Sequence, residues 1–128
     1  MKIAFSTLGC PNYEWKDIYA MAKDLGFDGI EVRHIKEEGS SSPFSPEKCE
    51  STAAKLQQLK IEIPCLSTGG CIKDSSWDEN KAEIISYIDV ASKVGAPYVR
   101  ILADLDAAPN GEVDDALVVS RIKELIPF

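Results

Sequence analysis

The chain holds little of what most recognisable site chemistry is built from. His34 is its only histidine, which excludes a His-rich metal centre and any H-E-x-x-H helix. Its cysteines, Cys10, Cys49, Cys65 and Cys71, form no C-x2-C pair, so the usual zinc and redox spacings are absent. Thiols scattered through an α/β chain suit buried small apolar positions in a reducing cytosol better than a disulfide framework. A cytoplasmic location is therefore expected. No run approaches the ~18 apolar residues of a membrane span. Near the start, Ser6 and Thr7 break the apolar stretch too early for a lipoprotein-type leader. Positive charge is in deficit: 14 Lys and Arg stand against 21 Asp and Glu, a net charge of -7. A general nucleic-acid binder needs the opposite balance to displace counterions from phosphates. No G-x-G-x-x-G follows the first strand and no Walker A sequence occurs, which argues against a nicotinamide-binding Rossmann domain and a P-loop.

What the chain does have is alternation. Strands are expected over 3–7, 29–33, 61–67 and 98–103, and each is followed by a helical pattern. The first helix, over 13–25, carries Trp15, Ile18, Tyr19, Ala22 and Leu25 at helical spacing, with Asn12 to cap it and Gly26 to stop it. The second starts at Ser45 with Pro46 at its first position and turns Cys49, Ala53, Leu56 and Leu59 inward. The third, over 78–94, packs Ile84, Ile85, Ile88 and Ala91 and ends at Gly95. The fourth begins near Asp114 and reads helical as far as Ile126. Segment 38–43 is a Ser-rich loop, Thr68-Gly69-Gly70 another, and Asn110-Gly111 marks a turn within a third, over 104–112. Such alternation builds a parallel sheet with crossover helices. The expected fold is α/β: four βα units with a parallel sheet, the N-terminal half of a (β/α)8 TIM barrel, as a single domain over 1–128. A complete barrel takes about 250 residues. The pattern stops at Phe128, where a fifth strand would follow, so truncation before that strand is expected.

In βα folds ligands bind at the carboxyl ends of the strands. That selects Ser6 and Thr7, Arg33 and His34, Ser67 and Thr68, and Asp104. Strand alternation adds a second selection. Ile30 and Val32 should face helices, which turns Glu31 and Arg33 to the other side, and Arg100 follows by the same logic between Val99 and Ile101. Three ionisable groups on one interior must either pair or meet a ligand. They form either a polar mouth for an anionic or polyhydroxyl substrate or an ion-pair layer filling the barrel. His34 is either a substrate contact or a loop residue without a role. The Gly69-Gly70 amides could cradle a phosphate, though an ordinary loop serves equally. The acidic pairs Glu37-Glu38 and Asp114-Asp115 read as solvated.

Three stretches carry a resemblance: Met1-Lys2-Ile3-Ala4-Phe5-Ser6-Thr7, Asp24-Leu25-Gly26-Phe27-Asp28-Gly29-Ile30-Glu31-Val32-Arg33, and Val94-Gly95-Ala96-Pro97-Tyr98-Val99-Arg100-Ile101. Together they resemble the xylose isomerase-like barrel superfamily, which includes sugar and sugar-phosphate isomerases and epimerases, inosose dehydratases and the endonuclease IV type of abasic-site nuclease. The resemblance implies a parent that moves a proton next to a carbonyl, with a divalent ion (Mn, Mg, Co or Zn) stabilising the enediolate. It places the metal ligands on strands 5 to 8, so it implies no metal ligand, no catalytic residue and no cofactor within this chain, which on its own should be inactive. What it transfers is the substrate-binding wall: Ser6, Glu31, Arg33, His34, Ser67 and Arg100. The implied partner is a small sugar or sugar phosphate, with neither nucleic acid nor membrane. The nuclease branch places histidines after strands 3 and 4, where this chain has Ser67-Thr68-Gly69 and Ala103-Asp104. The alternative to an enzyme fragment is a non-catalytic half-barrel that binds a small polar ligand or self-associates, as a dimer, to cover its exposed edges.

Overall fold

Gly29-Ile30-Glu31-Val32-Arg33 sets the architecture, since its alternate residues are dictated to opposite faces of one strand. In the computed structural model, which describes residues 1–35, 42–45, 47–103 and 115–128, that segment is β2. The order is β1 (Ala4–Ser6), a 3-10 turn (Thr7–Gly9), α1 (Trp15–Asp24), β2 (Gly29–Arg33), α2 (Cys49–Leu59), β3 (Leu66–Cys71), α3 (Trp77–Val94), β4 (Val99–Leu102) and α4 (Asp115–Leu125). The strands form one parallel sheet in the order β1-β2-β3-β4. Sequential parallel order is what half of a (β/α)8 barrel requires, and the expected α/β class is the observed one. Among the described residues, no helix is long and apolar enough to cross a membrane.

One face of the sheet holds the core. Ile30, Val32 and Leu66 are fully buried against Ile18 and Ala22 of α1, Cys49 and Leu56 of α2, and Tyr87, Val90 and Ala91 of α3. A second cluster, Ile72, Trp77, Ile84 and Leu125, seats α4 on the start of α3. Here Trp77 Nε1 and Lys81 Nζ donate to Glu124 Oε2 at 3.2 and 2.8 Å. Arg121 stacks over the Trp77 ring at 5.0 Å and donates to the carbonyls of Ile72 and Asp74. α1 and α3 are each followed by a glycine with positive φ, Gly26 at +71° and Gly95 at +73°, as the sequence predicts. α2 instead ends at Lys60, with φ 56°, a conformation that costs a residue with a Cβ.

Three expectations need correction. The third strand does not occupy 61–67: β3 begins at Leu66. The preceding residues still run beside β2, for the Glu62 and Cys65 carbonyls accept from the Ile30 and Val32 amides at 2.9 and 3.1 Å. Pro64 has no N–H to continue the ladder, and regular pairing shrinks to one bridge between Gly29 and Glu62. Second, Thr68-Gly69-Gly70 is not a loop but the middle of β3. Ser67 lies opposite Arg100 while Cys71 lies opposite Leu102, so β3 bulges between them. Gly70 permits this, because a Cβ there would sit 2.6 Å from Ile84 Cγ1. Third, two helices start late. A turn from the Cys10 carbonyl to the Tyr13 amide precedes α1, which leaves Asn12 outside the cap position now held by Glu14. The Ser45 carbonyl accepts from the Lys48 and Cys49 amides, so another turn leads into α2. Pro46, Glu37-Glu38, Asp104, Asn110-Gly111 and Asp114 lie outside the described residues.

Candidate functional site

The face opposite the helices is the candidate site, and register assembles it. Glu31 and Arg33 leave β2 on the side away from Ile30 and Val32. Arg33 pairs with Ser67, and Ser67 pairs with Arg100. These three residues therefore form one lateral row across β2, β3 and β4. Glu31 pairs with Ser6 on β1, one step toward the start of the same face.

Within this group one bond is made. The Ser67 hydroxyl donates to Glu31 Oε1 at 2.5 Å, and Ser67 is fully buried. Glu31 and Arg33 are half-buried and Arg100 is exposed. Among the described residues, Glu31, Arg33 and Arg100 make no ion pair with one another; the pairs present are elsewhere, such as Lys2 with Glu62 and Lys93 with Asp89. Among the described residues these three therefore form no ion-pair layer with one another. Arg33 Nε is buried and without a hydrogen-bond partner among the described residues, a condition that costs free energy until an acceptor arrives.

Two predicted residues stand apart. The Ser6 side-chain oxygen accepts from the Leu8 amide at 3.3 Å and so caps the 3-10 turn. His34 is exposed at the end of β2, with φ 61°. A non-glycine residue in this region is uncommon and is held there by its surroundings. Those surroundings are visible on both sides. Thr7 Oγ1 accepts from the Arg33 amide at 2.9 Å and donates to the Arg33 carbonyl at 3.2 Å. Beyond His34, the Ile35 amide donates to the Tyr87 hydroxyl at 3.3 Å. Burial pushes the Tyr87 phenol above its ordinary pKa, with the Ile35 amide pulling the other way.

Sequence reasoning missed the supports on α3. Asn80 Oδ1 accepts from the Cys71 amide at 2.7 Å, and Glu83 Oε1 accepts from the Gly69 amide at 3.0 Å. With Tyr87 they form a polar stripe at helical spacing turned toward the strands. The Gly69 and Gly70 amides, the latter bonded to Thr68 Oγ1 at 2.8 Å, are both engaged. They form no phosphate cradle, and the Glu83 carboxylate beside them would repel one. Cys65 was also missed: burial raises its thiol pKa, the Arg100 backbone opposes this and the Glu31 charge adds to it. The thiol itself donates to the Leu66 carbonyl at 3.5 Å. Among the described residues, no three of His, Cys, Asp and Glu stand together as metal ligands.

Comparison with known proteins gives the following. A family model described as xylose isomerase-like TIM barrel matches residues 19–128. Among solved structures, the chain is similar to the probable 3-DHS dehydratase AsbF involved in petrobactin synthesis from Bacillus anthracis. Identity is 18% and the TM-score 0.71, over 98% of this chain and 47% of that one. It is also similar to a xylose isomerase domain protein from Planctomyces limnophilus, at 16% identity and a TM-score of 0.61, over the same 98% and 47%. The chain spans about half the length of both structures, and at these identities the likeness is one of fold. No curated protein matches it.

Proposed function

The chain belongs to the xylose isomerase-like TIM barrel family, and from that premise we propose that it forms the substrate-facing wall of an enzyme that moves a proton next to the carbonyl of a sugar or sugar phosphate, as an isomerase or epimerase. The supporting observation is the row Arg33, Ser67 and Arg100, with Glu31 beside it, on the sheet face opposite the described helices that build the core. Charged and hydroxyl groups in fixed register suit a polyhydroxyl substrate, whose orientation must be held while a proton is removed. Mn, Mg, Co or Zn is the ion such an enzyme would use. The described residues do not fit a metal centre, so no step is assigned through one.

Saturation-transfer NMR on the protein with a panel of ketoses, aldoses and their phosphates tests this reading. Contact to sugar protons is expected, with loss of signal in E31Q and R100Q. No contact across the panel, or contact unchanged in both variants, would overturn it.

A second reading, self-association of the half-barrel, is favoured by the flanks. Ile3, Leu8 and Leu25 are exposed beside β1, and Val119, Ile122, Ile126 and Phe128 are exposed along and just beyond α4. Both outer strands are sheet edges, and unpaired edges with apolar flanks invite another copy. Light scattering should then give a dimer or larger; a well-folded monomer at micromolar concentration would sink it.

A further inference from the structure

Two guanidinium-bearing residues, Arg33 and Arg100, flank one serine on the uncovered face. Adjacent strands lie about 4.8 Å apart, so the Cα positions of the two arginines are separated by roughly twice that distance, with Ser67 between them. The carboxylate of this face, Glu31, accepts from Ser67 and pairs with neither arginine. Arg33 Nε is buried without a partner among the described residues. Its backbone is clamped on both sides by Thr7, so the donor is presented from a fixed base. A net charge of -7 gives the protein no general attraction for anions, so two arginines in one row of one face are a local feature.

We infer that Arg33 and Arg100 bind an anionic substituent of the substrate, a carboxylate or a phosphate, over Ser67. The inference rests on the reading of this face as the substrate side, and it adds a substrate class: the molecule bound carries negative charge. Two arginines suit such a group because each guanidinium presents parallel N–H donors to a carboxylate or phosphate edge. Thr7 is a positioning residue in this arrangement. It acts on the anion only through Arg33.

The test is an NMR titration of the protein that follows the arginine Nε–H resonances, using inorganic phosphate, acetate, chloride as the ionic-strength control, and a neutral ketose. Saturable millimolar shifts at Arg33 and Arg100 with phosphate, with acetate or with both, exceeding those with chloride, are expected. Phosphate alone assigns a phosphate ester, and acetate alone assigns a carboxylate. Replacement in R33Q or R100Q should weaken binding about tenfold or more, as expected for loss of a charge-assisted hydrogen bond. T7V should weaken it while leaving the Arg100 shift in place. If R33Q fails to fold, R100Q at an exposed position carries the test alone. No saturable shift with either anion, or unchanged affinity in R100Q, would overturn the inference. Ketose contact in the absence of anion binding would leave the sugar-enzyme reading intact and remove only this one.

Discussion

Ser67 donates its hydroxyl proton to Glu31 Oε1 at 2.5 Å across the β2–β3 junction, although its register partner on β2 is Arg33. The bond runs diagonally along the uncovered face. Among the described residues Glu31 bonds to Ser67 and makes no ion pair with Arg33, its neighbour two residues on. S67A should therefore cost about 1.5–3 kcal/mol, the range of a hydrogen bond to a charged group, read from urea denaturation. E31A should lose a similar amount, and S67A/E31A less than the sum of the two. Additivity within about 0.5 kcal/mol would show that the bond contributes nothing.

Gly69 and Gly70 are adjacent yet should respond differently to alanine. A Cβ on Gly70 would lie 2.6 Å from Ile84 Cγ1, whereas one on Gly69 would meet only Glu83 Oε1 at 3.5 Å. Neither position has a left-handed φ, so space alone decides. G70A is expected to destabilise by about 1–3 kcal/mol through overpacking, and G69A by well under that. Equal losses in chemical denaturation would contradict the close approach of β3 to α3.

Much of this arrangement was legible in the sequence. Alternation in Ile30-Glu31-Val32-Arg33 and Val99-Arg100-Ile101 placed the charged residues on one face, because the strand period is fixed by backbone geometry. Gly26 and Gly95 marked helix ends for an equally local reason. The position of β3 is the exception: Ile61 and Ile63 suggest a strand from 61, while Pro64, which has no N–H to continue the ladder, is the local signal against it. The Ser67–Glu31 bond depends on register between segments 36 residues apart, which no local pattern encodes. Asn80, Glu83 and Tyr87 were hidden for a different reason. Polar residues on a helix read as solvated until the bulged strand beside them is known to leave amides unpaired.

Lys60 closes α2 with φ 56°, and His34 ends β2 with φ 61°. Glycine adopts this region without the Cβ penalty. K60G relieves about 1–2 kcal/mol of left-handed strain against an unfolded-state entropy cost of about 0.4–1 kcal/mol, so it should stabilise the protein by several tenths to about 1 kcal/mol, seen as a rise in denaturation midpoint. H34G should also hold or raise stability, since the imidazole is exposed, whereas H34V should lower it. A loss of stability in K60G would mean that its side chain contributes more than the strain costs.

The Glu124 carboxyl is held below its ordinary pKa by the hydrogen bond from Lys81, then by that from Trp77. A depressed folded-state value stabilises the native form above the ordinary carboxylate pKa. The effect is lost as pH falls through the lowered value. The seating of α4 on α3 should therefore weaken on acidification, and E124Q should remove that dependence. The measurement is thermal stability of wild type and E124Q between neutral pH and pH about 3. The gap between the two curves should close toward acid. A gap that stays constant would mean that Glu124 acts through packing alone.

Tyr19 gives the opposite limb. It is buried on α1 beside Trp15, with Lys55 Nζ 4.2 Å from its ring centroid. Its hydroxyl has no partner among the described residues. Burial raises its pKa from 10.0 to about 12, so the native state keeps a proton that the unfolded chain releases. The unfolded state binds fewer protons in that window, and stability must fall as pH rises between the two values. The loss should be on the order of 2–3 kcal/mol when the transition is complete. Y19F removes both the titrating group and an unsatisfied buried hydroxyl. It should be neutral or stabilising at pH 7, and its alkaline limb should be flatter than that of wild type. Denaturation at neutral and alkaline pH measures both. A Y19F variant that is markedly weaker at pH 7 would show that the hydroxyl has a partner, and an unchanged alkaline limb would assign the titration to other groups.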